Sequence, residues 1–205
     1  MKYIDLYHRL EKEGLFIFNL SDIVGLSSHK KDLVKRQVSY WKKKGWIRPL
    51  KKGLYEATYP VKKILPDLSI ANKLYEPSYI SLETALSYYS LIPEVAMQVT
   101  SVTTKPTREF RNHYGYFQYR SIKKEAFVGY QLGTEQGRCV KIAEPEKALV
   151  DYIYFALRDK NTLDIESLRL NKTKIADMKL DKLVLYASLY NKKTCLSVEE
   201  IYAKL

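Results

Sequence analysis

The chain has 205 residues, 46% of them hydrophobic and 28% charged, which is a globular composition and excludes a disordered polymer. No apolar run approaches the ~18–20 residues that span a bilayer, and the opening Met1-Lys2-Tyr3-Ile4-Asp5-Leu6 lacks the apolar core of a signal peptide, so a cytoplasmic protein with no membrane partner is expected. The 35 Lys and Arg against 23 Asp and Glu leave a net charge of +12, which points toward a polyanionic partner.

In chain order, residues 2–13 read as a helix with Ile4, Leu6, Tyr7 and Leu10 near one face and Gly14 as its stop. After the apolar stretch Leu15 to Leu20, Ser21 is a suitable cap for a short helix from Asp22 to Leu26. Ser27 or Ser28 is the expected cap of a third helix, about 29–44, ended by Gly45. Trp46 to Leu50 and Leu54 to Ala57 flank the basic turn Lys51-Lys52-Gly53 and read as a β-hairpin. Three helices followed by a basic hairpin is the order of a winged helix-turn-helix.

Pro60, Pro66 and Pro77 then mark a connection, so residues 1–63 are expected to form one domain and 64–77 a linker with a possible helix from Asp67 to Tyr75. Residues 78–205 are expected to form an α/β domain with a small sheet and a helical tail, for a mixed α+β chain overall. Ser81 is the expected cap of a helix reaching about Leu91. Strands are expected at Val99–Thr104, Tyr116–Ser121, Phe127–Leu132 and Arg138–Ala143, the last two around a Gly133–Gly137 turn. Glu144-Pro145 opens a helix to about Leu157. Residues 160–205 read as four short helical pieces, the last opened by the capping pair Ser197 and Glu200.

The charge is uneven. Residues 1–63 hold 15 basic and 6 acidic side chains, and residues 64–205 hold 20 and 17. On the third helix, Val34, Val38 and Trp41 fall within about 60° of one another and form a stripe to be buried. Asp32, Arg36, Ser39, Tyr40 and Lys43 fall opposite, with Lys35 and Lys42 on the flank. Such a face suits a DNA major groove, where Arg and Lys donate to guanine or phosphate and Ser and Tyr donate to phosphate. A solvated lysine face gives the same pattern, but the adjoining hairpin adds Arg48, Lys51 and Lys52 where a wing would touch phosphates. The candidate DNA-binding set is Lys30, Lys31, Lys35, Arg36, Ser39, Tyr40, Lys42, Lys43, Lys44, Arg48, Lys51 and Lys52.

Signs of catalysis are weak. Cys139 and Cys195 are isolated, and His8, His29 and His113 have no paired spacing, so neither a metal nor another cofactor is expected. Glu144 with Glu146 and Glu199 with Glu200 stand at expected helix starts, where acids are stabilised by the helix dipole. Asp177-Met178-Lys179 has its Pro-Asp counterpart, Pro66-Asp67, 110 residues away, too far to read as a nuclease signature. Glu144, Lys147, Asp151 and Arg158 form a thin polar stripe on an otherwise apolar helix. A solvent-facing edge with a Lys147–Asp151 pair is favoured there over a buried carboxylate.

Ser78 to Tyr89 followed by Leu91-Ile92-Pro93-Glu94, Val99 to Lys105 followed by Arg108 and Phe110, and Ile142-Ala143-Glu144-Pro145-Glu146-Lys147-Ala148-Leu149-Val150-Asp151 together resemble the AbiEi antitoxin family. The wing ending Lys52-Gly53-Leu54-Tyr55 fits the same family, and the resemblance covers roughly residues 20–157. Ser90 stands where the family suggests glycine, and Pro106 interrupts the segment before Arg108. The resemblance implies a non-enzymatic, type IV antitoxin of a two-gene system. The partners it implies are an operator of double-stranded DNA with inverted repeats and a cognate nucleotidyltransferase toxin, counteracted without an obligate stable complex. Some systems of this kind abort phage infection. Two other functions compete: a stand-alone winged-helix regulator whose second domain senses a ligand or partner, and a nuclease-like enzyme built on residues 78–157.

Overall fold

Tyr3, Leu6, Tyr7 and Leu10 recur at the helical interval and bury one face of α1 (Tyr3–Lys12) in the structure, a computed structural model that describes residues 1–27, 29–61, 64–160 and 169–204. The chain is mixed α+β and divides into two units, Met1–Pro66 and Asp67–Leu205. In the first, α1 is followed by β1 (Ile17–Asn19), α2 (Leu20–Leu26), α3 (Lys31–Lys43), β2 (Ile47–Lys51) and β3 (Leu54–Ala57). The three strands form an antiparallel sheet in the order β1-β3-β2.

Asn19, rather than Ser21, caps α2. Its side chain accepts from the amides of Ser21 at 2.7 Å and Asp22 at 3.1 Å, and its own amide donates to the Asp22 carboxylate at 2.7 Å. A carboxamide with an acid three residues on satisfies more of the helix-end donors than a lone serine does. The start of α3 also differs from the expectation. Lys30 holds the N-cap position without a side-chain cap bond, Ser27 closes α2, and Ser28 lies outside the described residues. The core gathers Leu6, Leu10, Phe18, Ile23, Val34, Val38, Trp41 and Ile47. The buried Tyr3 hydroxyl donates to the carbonyls of Trp46 (2.7 Å) and Tyr59 (2.9 Å), which ties the start of α1 to the chain on both sides of the hairpin.

The second unit contains α4 (Asp67–Leu74), β4 (Ser78–Ile80), α5 (Leu82–Tyr88), β5 (Val99–Thr103), β6 (Arg108–Asn112), β7 (Gly115–Ser121), β8 (Tyr130–Glu135), β9 (Arg138–Ala143), α6 (Pro145–Lys160), α7 (Lys172–Ala176), α8 (Leu180–Ser188) and α9 (Lys192–Ala203). Its six-stranded sheet runs β6-β7-β5-β4-β9-β8. The pairs β5/β7 and β4/β9 are parallel, and the other neighbours are antiparallel.

The stretch 64–77, expected as a linker, includes α4. That helix buries Leu68, Ile70, Ala71 and Leu74, and its Asn72 side chain brackets the Lys141 peptide of β9, accepting from the amide at 2.6 Å and donating to the carbonyl at 3.3 Å. The expected strand at Phe127–Leu132 is shifted to β8, which takes in Gly133, so the turn narrows to Gln136-Gly137. Ser81 precedes α5 but makes no side-chain cap bond, because its hydroxyl points to Asp151. Asn191, not Ser197, caps the final helix, accepting from the Thr194 amide at 2.9 Å. The first of the expected tail pieces lies partly outside the described residues. Ser90, where the resemblance suggests glycine, has φ +55°, a left-handed conformation that costs an L-residue about 1–2 kcal/mol.

Candidate nucleic-acid interface

Nine of the twelve candidate residues lie on or directly beside α3: Lys30, Lys31, Lys35, Arg36, Ser39, Tyr40, Lys42, Lys43 and Lys44 are all exposed. Their orientation follows from the opposite stripe, since Val34 (0% exposed), Val38 (5%) and Trp41 (3%) pack into the core. Between Lys30 and Lys52 the sequence places ten basic residues and one acid, Asp32. Asp32 meets Lys35 at 3.3 Å, an exposed pair of the kind worth little to stability. The Lys44 ammonium lies 5.7 Å from the Tyr40 ring centroid, and Trp46 meets that ring edge-on at 5.9 Å.

A helix of 13 residues is about 20 Å long, and a major groove about 12 Å wide admits one. Lys30 and Lys31 stand at the N-terminal end of α3, where the helix dipole disfavours cations by roughly 0.3–1 kcal/mol each. Lys31 and Lys35 are like charges four residues apart, which is also unfavourable. Lys42 and Lys43, in the last turn, are favoured by the same dipole, so the unfavourable charge is confined to the N-terminal end of α3.

The hairpin residues are less uniform. Arg48 is turned onto Glu56, its cross-strand partner, with Nε 2.6 Å from Oε1. The Glu56 side chain is fully buried, so Arg48 neutralises a carboxylate of the sheet instead of reaching outward with the lysines. Lys51 is half-buried at an irregularity between Pro49 and Lys51, while Lys52 is exposed at the tip, beside Gly53 at φ +83°. The structure thus brings the α3 set together, places Lys52 on the hairpin tip and withdraws Arg48.

A second cluster lies in the other unit. Lys147 and Asp151 are both fully buried and paired, which corrects the expected solvent-facing edge. Asp151 also accepts from the hydroxyls of Tyr190, Tyr79 (3.0 Å) and Ser81 (2.8 Å), and Lys147 donates to Tyr190 at 2.9 Å. Burial pulls the Lys147 pKa down, and the Asp151 charge opposes that. Burial, reinforced by Asp151, pushes both tyrosine hydroxyls well up, so they remain donors at neutral pH. A carboxylate met by four donors and closed to water serves as a structural clamp. Toward the surface, Lys182 bridges Glu144 (3.0 Å) and Glu146 (3.1 Å), and the Tyr186 hydroxyl donates to Glu144 at 2.5 Å. That bond lowers the Glu144 pKa, and burial pushes Tyr186 up to about 12.

Tyr79 and Tyr190 lie 72 and 39 residues from Asp151 in sequence, so no local pattern announces the cluster. Among the described residues no three His, Cys, Asp or Glu side chains form a metal-binding group, and no helix is long and apolar enough to cross a membrane. Comparison with protein-family models and with curated proteins returns no match.

Proposed function

We propose that this chain is a cytoplasmic DNA-binding antitoxin that represses its own operon and counteracts a nucleotidyltransferase toxin. In this reading the first unit is a winged helix-turn-helix: α2 and α3 form the helix pair, α3 enters the major groove, and the β2–β3 hairpin is the wing. The observation that carries the reading is the exposed basic face of α3, backed by its buried Val34, Val38 and Trp41 stripe. The wing's part is reduced to Lys51 and Lys52, because Arg48 serves Glu56.

The antitoxin half of the proposal draws on the family resemblance. Its motifs adjoin one another in the fold. Tyr79 and Ser81 of the first motif bond Asp151 at the end of the Pro145–Asp151 run, and β5, from the middle motif, pairs with β4. The most specific residues of the resemblance therefore have a physical task, closing one buried ion pair.

The test uses the full chain and a variant with Lys35, Lys42 and Lys43 replaced by alanine. Both are assayed for repression of a reporter driven by the DNA upstream of their own gene, and for growth under induction of the nucleotidyltransferase toxin that the proposal assigns as partner. The variant is expected to lose repression and keep protection. Retained repression would overturn the DNA-binding assignment. Absence of protection by the unaltered chain would overturn the antitoxin assignment and leave a stand-alone regulator.

A further inference from the structure

Beside α3 lies an open groove of about 660 Å³ formed within the first unit, a volume in the range of small-molecule sites. Its walls are aromatic. Trp46 and Tyr59 are stacked with ring centroids 5.6 Å apart, and Tyr3 meets Trp46 at 5.1 Å and Trp41 edge-on at 5.4 Å. Ile4, Tyr40 and Tyr59 are 38%, 51% and 47% exposed, so apolar surface stays in water along the opening. Isolated exposed apolar side chains are ordinary, but a contiguous concave group of them marks a binding site.

The charge around the groove selects the ligand. Lys2 and Arg36 line it and are exposed, and among the described residues no carboxylate lines it. Aromatic walls alone would also suit a quaternary ammonium. Two cations at the rim disfavour that ligand and favour an anion. The Tyr3 hydroxyl is already committed to two backbone carbonyls, so that ring offers its face and edge rather than a free donor. A flat apolar body with one anionic group matches these features.

We propose that this groove binds a small planar aromatic anion, a carboxylate or sulfonate, with its ring against the Trp46–Tyr59 wall and its charge at Arg36. Binding of the anion does not depend on the DNA-binding reading. One consequence does: Arg36 and Tyr40 belong both to the groove and to the α3 face, so an occupied groove weakens DNA binding and couples operon control to a metabolite of this class.

The chain has two tryptophans, and both line the groove, so intrinsic emission reports on it directly. The full chain is titrated without DNA at constant ionic strength, with benzoate as probe and excitation at a wavelength benzoate does not absorb. Benzyl alcohol and benzyltrimethylammonium serve as the neutral and cationic counterparts. A saturable change is expected with benzoate, about tenfold weaker with either counterpart, and about tenfold weaker for benzoate with Arg36→Gln or Ile4→Glu. No saturable change up to about 20 mM benzoate would overturn the proposal at the millimolar affinity expected of so small a ligand. So would tighter binding of the ammonium, or sedimentation equilibrium showing that the groove is closed by a second copy and opens only in Ile4→Glu. The three-probe comparison uses the unaltered chain and decides the question whether or not a variant folds.

Discussion

The first unit carries ten basic residues between Lys30 and Lys52 and leaves most of them in water, whereas the second puts Lys147 and Asp151 where neither is exposed. These placements have different energetic meanings. A buried ion pair is costly to desolvate, and it persists only because every polar atom finds a partner. Here Tyr79, Ser81 and Tyr190 supply those partners, and removing one member would strand the rest. An exposed run of like charges costs little desolvation; on α3, Lys30 and Lys31 oppose the helix dipole at its start, while Lys42 and Lys43 suit it in the last turn. The inward ions of the second unit are therefore architectural. The outward ions of α3 stay in water, which is the placement that the proposed DNA-binding role needs.

The sharpest way to break this contrast is to damage each core separately. Trp41→Ala removes a buried ring from the first unit and is expected to cost ~3–5 kcal/mol. Two-stage urea unfolding followed by circular dichroism and tyrosine fluorescence should show the second unit's transition unmoved. A single merged transition that shifts as a whole would mean that the units do not unfold independently. Lys147→Met or Asp151→Leu should each destabilise the second unit by about 3–5 kcal/mol, with the double variant less affected than the sum of the two. Additive losses would mean that the pair is not the unit of stabilisation.

The smaller effects concern the outward face. Arg36→Ala should cost about 1–3 kcal/mol of discrimination between operator and unrelated DNA, read by fluorescence anisotropy at fixed salt. Equal weakening on both DNAs would demote Arg36 from base reading to phosphate contact. Smaller again is Lys30→Ser, which installs a side-chain cap and removes a cation from the positive end of α3. It should raise the first unit's stability by roughly 0.5–1 kcal/mol while weakening DNA binding. A variant that gains on both counts would remove the argument that Lys30 is kept for DNA.

The periodicity of α3 was readable because Val34, Val38 and Trp41 recur at the helical interval against an almost wholly polar remainder. The strands β5, β7 and β9 were readable for a similar reason, being rich in β-branched or alternating aromatic residues. The edge strand β6, Arg108-Glu109-Phe110-Arg111-Asn112, was not: edges carry charge, and that charge hides the strand signal. The cap at Asn19 was missed because a nearer serine satisfied the simple rule. Along the interface, the exposed face of α3 follows from helical geometry, but the withdrawal of Arg48 depends on Glu56 facing it across the hairpin. The Asp151 clamp was misread because the polar stripe of α6 looks like a solvent edge until the tyrosines from β4 and the segment after α8 cover it.

The salt dependence of binding tests most directly the proposal that the α3 face holds DNA through its lysines. The affinity of the full chain for a duplex from its own upstream region is measured across a range of salt concentrations, alongside the Lys35→Ala, Lys42→Ala, Lys43→Ala triple variant. Each lost phosphate contact lowers the slope of log affinity against log salt by ~0.9, so a fall of about 2–3 is expected for the triple variant. Parallel lines of equal slope for the two proteins would contradict the account, because they would show that these lysines displace no counterions and that the basic face of α3 is only solvated.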